Sequence, residues 1–219
     1  MTFKAPDSLS EQIADYLAER IIRGELAPGE RVQEQKGTPA LSVSRGSVRE
    51  ALLILERRHL GAILPRRGAH VTKLDERSVR SLCTLMGEFY ILLGNAVAQQ
   101  WRLEADLRPF LDIQQRLQQA RERQDIKVFV AESFAVMRAA YPFADNPYLQ
   151  ETVENLQPAM SRAYYLALDQ RQASMDDYLD LFARLLEAVV ARDLPRIREV
   201  LTAYGQRSCE LVLAALARG

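Results

Sequence analysis

The chain has 219 residues, 48% hydrophobic and 26% charged, and its 29 basic and 29 acidic side chains leave no net charge. That composition fits a globular protein with room for one large or two small cores, and excludes a disordered or uniformly basic chain. Charges interrupt the apolar runs short of the ~18–20 residues of a membrane span. No signal-type apolar core follows Met1, and Cys83 and Cys209 make no disulfide framework, so a cytoplasmic protein without a membrane partner is expected.

In chain order, Ser8–Arg23 predicts a first helix, capped by Ser8 or Ser10, with Ile13, Tyr16, Leu17 and Ile21 as its buried stripe. Pro28-Gly29 is turn chemistry. A short helix is expected at about Glu34–Leu41, although Gly37, Thr38 and Pro39 are poor helix formers. Val43–Glu56 then opens with small hydroxyl residues and continues as an amphipathic helix, its apolar face Val48, Ala51, Leu52 and Leu55. Arg45 and Arg49 share another face near its N-terminus, a geometry suited to the major groove of DNA. Ala62–Thr72 follows as two short strand candidates around a basic, Gly-containing tip. Together these read as a winged helix-turn-helix. From Ser42 to Lys73 there are seven cations and two carboxylates, a local charge of +5, and such a patch steers a protein to phosphates.

Beyond about Glu76, Gly and Pro thin out. Helices are predicted near Ser78–Gln100, Leu103–Arg123, Ile126–Ala140, Pro147–Asp169, Ser174–Arg192 and Pro195–Ala217, with Asn146 as an N-cap and Pro158 as a kink. The expected fold is mainly α: residues 1–74 form a winged helix-turn-helix with a small β-wing, and residues 75–219 an antiparallel six- or seven-helix bundle.

Gly24-x-Leu-x-Pro-Gly-Glu, Val43-Ser-Arg, Val48-Arg-Glu-Ala-Leu and Pro65-Arg-Arg-Gly-Ala-x-Val71 resemble the DNA-binding domain of GntR-family transcriptional regulators. The helical remainder resembles the effector-binding domain of the FadR subfamily. The resemblance implies a homodimer on a palindromic double-stranded DNA operator, acting as a repressor whose binding a small metabolite modulates. It implies DNA contacts from Ser44, Arg45, Gly46, Ser47 and Arg49, and from Arg66, Arg67 and Gly68 at the wing tip. Many such effector domains hold a metal through Asp-x-x-Phe-His and two later His. With Phe134 setting the register, those four positions carry Ala131, Ala135, Phe182 and Tyr204, and both histidines, His59 and His70, lie in the N-terminal third. No metal and no cofactor are therefore expected.

Tyr90, Asn95, Arg138, Tyr164, Arg184 and Tyr204 are the polar residues expected to orient an effector. Arg138 would bind a carboxylate, which suits an organic acid or a partly apolar metabolite. The competing reading is a helical interaction module or enzyme with a basic docking domain. Against an enzyme, the sequence offers no Ser/His/Asp set, no phosphate-binding Gly loop and no paired-carboxylate motif.

Overall fold

The computed structural model describes residues 8–32 and 44–218; the short helix expected at Glu34–Leu41 lies outside them. The chain divides into two compact units. One comprises the residues up to Leu74 together with Asn155–Tyr165, the other Asp75–Glu154 with Leu166–Gly219.

In the first unit, α1 (Leu9–Ile22) is capped by Ser8, whose hydroxyl accepts from the Glu11 amide while the Glu11 carboxylate accepts from the Ser8 amide. This reciprocal pair satisfies two of the amides that a helix start leaves open. Ser10 is buried instead and donates to Glu50. In α2 (Arg45–Arg57) the Ser44 hydroxyl accepts from the Ser47 amide at 3.1 Å. The two helices share one apolar core: Ile13, Ala14, Leu17 and Ile21 of α1 pack with Val48, Ala51, Leu52 and Leu55 of α2. Tyr16, expected in that stripe, is exposed, and its ring takes the Arg20 guanidinium at 5.8 Å.

Strands β1 (Gly61–Leu64) and β2 (Gly68–Val71) pair antiparallel, Gly61 opposite Val71 and Leu64 opposite Gly68. The intervening Pro65-Arg66-Arg67 is closed by the Arg67 amide donating to the Leu64 carbonyl at 3.1 Å. Proline presets the second turn position, and Arg66 takes the third at φ 61°. A positive φ there marks a type II turn, which ordinarily favours Gly. The loop after α1 adds a further edge to the hairpin. Val32 donates to Ala69, Gly29 to Val71, and Val71 to Glu30, with a bridge between Arg31 and His70. Residues 155–165 complete this unit. Arg162 is 5% exposed, and its guanidinium donates to the Thr72 carbonyl at 2.8 Å and hydroxyl at 3.1 Å.

The second unit is built from α3 (Glu76–Gln100), α4 (Glu104–Glu122), α5 (Ile126–Ala144), α7 (Leu168–Gln172), α8 (Met175–Val190) and α9 (Leu194–Leu216), with the first residues of α6 (Pro147–Leu166). Gly94 of α3 lies against Ile197 and Leu201 of α9, and Gly87 against Gly205, so these two helices run antiparallel. So do α4 and α5, where Arg116 pairs with Glu132 and Phe110 meets Phe143. Arg192, at the α8–α9 junction, donates to the carbonyls of Ala98, Gln99 and Trp101 and lies 4.8 Å from the Trp101 ring centre, closing the open end of α3. Asn146 caps α6 by accepting from the Tyr148 and Leu149 amides.

Three local features differ from expectation. The helix expected to end at Ala140 continues through Pro142 to Ala144, because Ala140 and Tyr141 are buried. The helix expected to reach Asp169 stops at Leu166, and five residues of α7 follow. Finally, α3 is long and apolar enough to cross a membrane by length and composition. Glu88 is the one charge between Arg80 and Arg102, so the expectation that charges break every apolar run is too strong here. Val79, Met86, Ile91, Leu93 and Val97 on its inner face are buried.

Candidate nucleic-acid interface and effector cavity

Burying Val48, Ala51, Leu52 and Leu55 fixes the rotation of α2 and sends the residues between them outward. Arg45, Gly46 and Arg49 are exposed and Ser47 half-buried. Among the described residues neither arginine is in an ion pair. The two carboxylates of α2 are engaged elsewhere: Glu50 accepts from Ser10, and Glu56 accepts from the Ile63 amide at 2.9 Å. Arg58, by contrast, is taken by Asp15. No acidic residue stands in the first turn of α2, whose open amides and partial positive charge favour an anion.

At the wing, Arg66 and Arg67 are exposed and Gly68 half-buried. A Cβ on Gly68 (φ 81°) would come 3.5 Å from the Arg31 guanidinium. Arg31 thus brings a third cation to the hairpin. It lies upstream of the basic stretch read from the sequence, and pairing with β2 is what brings it there; nothing in its local sequence signals this. His70 turns its Nδ1 to the Gly68 carbonyl at 3.2 Å, a local strand contact.

The second unit encloses a cavity of about 80 Å³ between α3, α4, α5, α8 and α9. Tyr90, Phe182 and Tyr204 line it, joined by Tyr178 and Phe134. Tyr178 is the hub of this cluster: its ring centre lies 5.3 Å from Phe129 and 5.4 Å from Tyr204, both edge-on, and 6.3 Å from Phe182. Burial, and then the neighbouring Tyr204, push the Tyr178 phenol well above its usual pKa, so it stays protonated as a donor.

Of the six residues expected to orient an effector, the cavity brings together Tyr90 and Tyr204. Arg138 is exposed and lies on a separate groove with Tyr141, Asp145 and Asn146. Arg184 is exposed on α8, and Tyr164 is buried in the α6 segment of the first unit. Asn95 is not part of the lining, and its Oδ1 is buried without a partner among the described residues. The carboxylate anchor expected of Arg138 is therefore not at the cavity, because the α5 rotation that buries Phe134, Met137 and Ala140 turns position 138 to solvent.

The same rotation decides which α5 positions meet the cavity. Ala131 is exposed and Ala135 is not part of the lining; the i, i+4 pair facing the cavity is Ser133 and Met137. With Phe182 and Tyr204, these positions offer a hydroxyl, a thioether and a phenol. This set does not fit the divalent metal that the family resemblance raises, which needs converging imidazole or carboxylate donors. Ser133 already donates to the Val130 carbonyl at 2.7 Å.

Comparison with known proteins follows the same division. The family described as bacterial regulatory proteins, gntR family, matches residues 9–71, and the FCD domain matches residues 92–207. The HTH-type transcriptional regulator McbR of Escherichia coli (strain K12) is 25% identical over 94% of this chain and 93% of its own. The HTH-type transcriptional repressor RspR of the same organism is 26% identical over 93% and 89%. The solved structure of E. coli McbR/YncC superposes with a TM-score of 0.75 at 22% identity, covering 94% of this chain and 98% of the other, and shows the same fold.

Proposed function

Because the chain belongs to the gntR family and carries an FCD effector-binding domain, it is a DNA-binding transcriptional regulator and not an enzyme, and we propose that it reads its operator through two cationic elements. Ser44, Arg45, Gly46, Ser47 and Arg49 at the start of α2 enter the major groove, while Arg66, Arg67 and Gly68 at the wing tip, with Arg31 beside them, meet the backbone or the adjacent groove. Residues 1–74 are the DNA-binding domain and residues 75–219 the effector and dimerisation domain. The observation that carries this reading is the contrast among the arginines: Arg45 and Arg49 stay exposed while nearby Glu50, Glu56 and Arg58 are paired off.

The regulator acts in the cytoplasm as a homodimer on a palindromic site, as a repressor released or retained by a small molecule. For the dimer, α3 presents Leu85 and Leu92, 44% and 54% exposed and one heptad apart, with half-buried Phe89 between them. That spacing is the seam of a helix pair. Regulation is a population shift, its size set by the effector's differential affinity for the two states.

A labelled duplex from the region upstream of the protein's own gene tests the DNA half. Binding should weaken steeply with salt as phosphate contacts are lost. Full affinity in the Arg45→Ala/Arg49→Ala double variant would refute the assignment. Leu85→Glu/Leu92→Glu should convert the dimer to monomer in light scattering.

A further inference from the structure

We infer that the effector cavity takes an uncharged, largely apolar ligand the size of a single ring, held by aromatic contacts and one hydrogen bond, and that neither a metal nor a carboxylate anchor takes part. This rests on the reading of the helical unit as the effector domain and specifies its ligand chemistry.

The argument begins with what the cavity wall lacks. Among the described residues lining it there is no Asp, Glu, His, Lys or Arg. A carboxylate entering this space would exchange water for phenyl rings and aliphatic carbons, and an unpaired buried charge costs far more than the contacts return. The wall nevertheless has directional chemistry. Tyr178 brings a phenolic hydroxyl, and Ser133, its hydrogen committed to Val130, retains lone pairs. A carbonyl or hydroxyl on an otherwise apolar molecule can use these.

Size points the same way. A dry apolar cavity of about 150 Å³ accepts benzene, and this one measures about 80 Å³. A ring therefore fits only if side chains give way. The half-buried Tyr90, Tyr178 and Tyr204 can do so more readily than the fully packed residues behind them. Tyr204 sits on α9 and Tyr90 on α3, with ring centres 6.0 Å apart. A ligand that separates them acts on two helices at once, which is the differential interaction a population shift requires.

The test uses the full-length protein with three probes, p-cresol, indole and benzoate, read by thermal shift and calorimetry at pH 7. The two neutral rings should raise the melting temperature by a few degrees, and benzoate should bind roughly tenfold or more weakly, the charge being the difference. Val136→Phe and Leu186→Phe, which fill the cavity from two sides, should each abolish binding, with melting without ligand as the folding control. Benzoate binding as tightly as p-cresol would overturn the proposal. So would a zinc or nickel content near one per chain, neutral-ring binding that survives in a folded filling variant, or no binding by any probe. Operator affinity measured on the same preparation keeps the outcomes apart, because a failure of ligand binding with operator affinity intact leaves the regulator assignment standing.

Discussion

The two units solve opposite electrostatic problems with the same helical material. In the first, α2 buries four aliphatic side chains and leaves Arg45 and Arg49 in water, and the wing holds Arg66 and Arg67 out on a tight turn. In the second, long helices turn their aromatic residues inward around a cavity with a neutral wall and send Arg138 and Arg184 out to solvent. Guanidinium groups recognise a polyanion without prior burial, whereas a small ligand is recognised by groups already stripped of water. Charge distribution, more than fold, separates the proposed DNA-reading surface from the proposed effector cavity.

The sharpest test of that contrast is Phe182→Ala. This side chain is 2% exposed, and its loss should cost about 3–5 kcal/mol of stability, seen in denaturant unfolding. Operator affinity of the protein that remains folded should be unchanged. Next in size, Arg45→Ala and Arg49→Ala should each weaken operator binding by roughly 1–3 kcal/mol if the contact is bidentate to a base. The melting temperature should stay put, because among the described residues neither arginine is in an ion pair. Ser44→Ala removes the α2 cap and should cost about 1 kcal/mol of stability, together with some operator affinity, since the cap also orients the amides at the proposed DNA surface. The smallest change is Arg66→Gly. Relieving a positive φ should offset some of glycine's extra chain entropy, so stability should move by no more than about 1 kcal/mol, while anisotropy shows the loss of a wing cation.

The thiols distinguish inside from outside by pH. Burial, and then the neighbouring Cys209, push the Cys83 thiol up to about 12. Alkylation at pH 8 followed by mass spectrometry should therefore modify the half-buried Cys209 first. The sign follows from linkage: a thiol whose pKa is raised by folding leaves stability intact below the ordinary value of ~8.5 and erodes it as pH climbs toward the folded value.

How much was legible in the sequence differed between the units for a physical reason. The α2 stripe, the Ser44 cap and the Pro65-Arg66-Arg67-Gly68 turn are local devices, and local spacing reveals them. The helices of the second unit were legible as helices, but which face of α5 meets the cavity was not. Val128, Phe129, Val130, Phe134, Val136 and Met137 make that helix apolar nearly all round, so periodicity leaves its rotation open and only packing against its neighbours decides it. Arg138 faces solvent rather than the cavity for this one reason. Arg31 was missed because a contact across the hairpin leaves no trace in neighbouring residues.

The guanidinium of Arg162 has a consequence for anyone cutting the gene. It reaches Thr72, the residue just after the hairpin, across ninety positions of sequence. Burial disfavours its charged form, yet no carboxylate shares the site among the described residues. A fragment ending near residue 74 would keep both reading elements and discard this clasp, leaving a carbonyl that had been bonded to a cation to find water instead. The N-terminal piece is thus contiguous as a recognition motif but not as a folding unit, and its autonomy in solution should fall short of what its own core suggests.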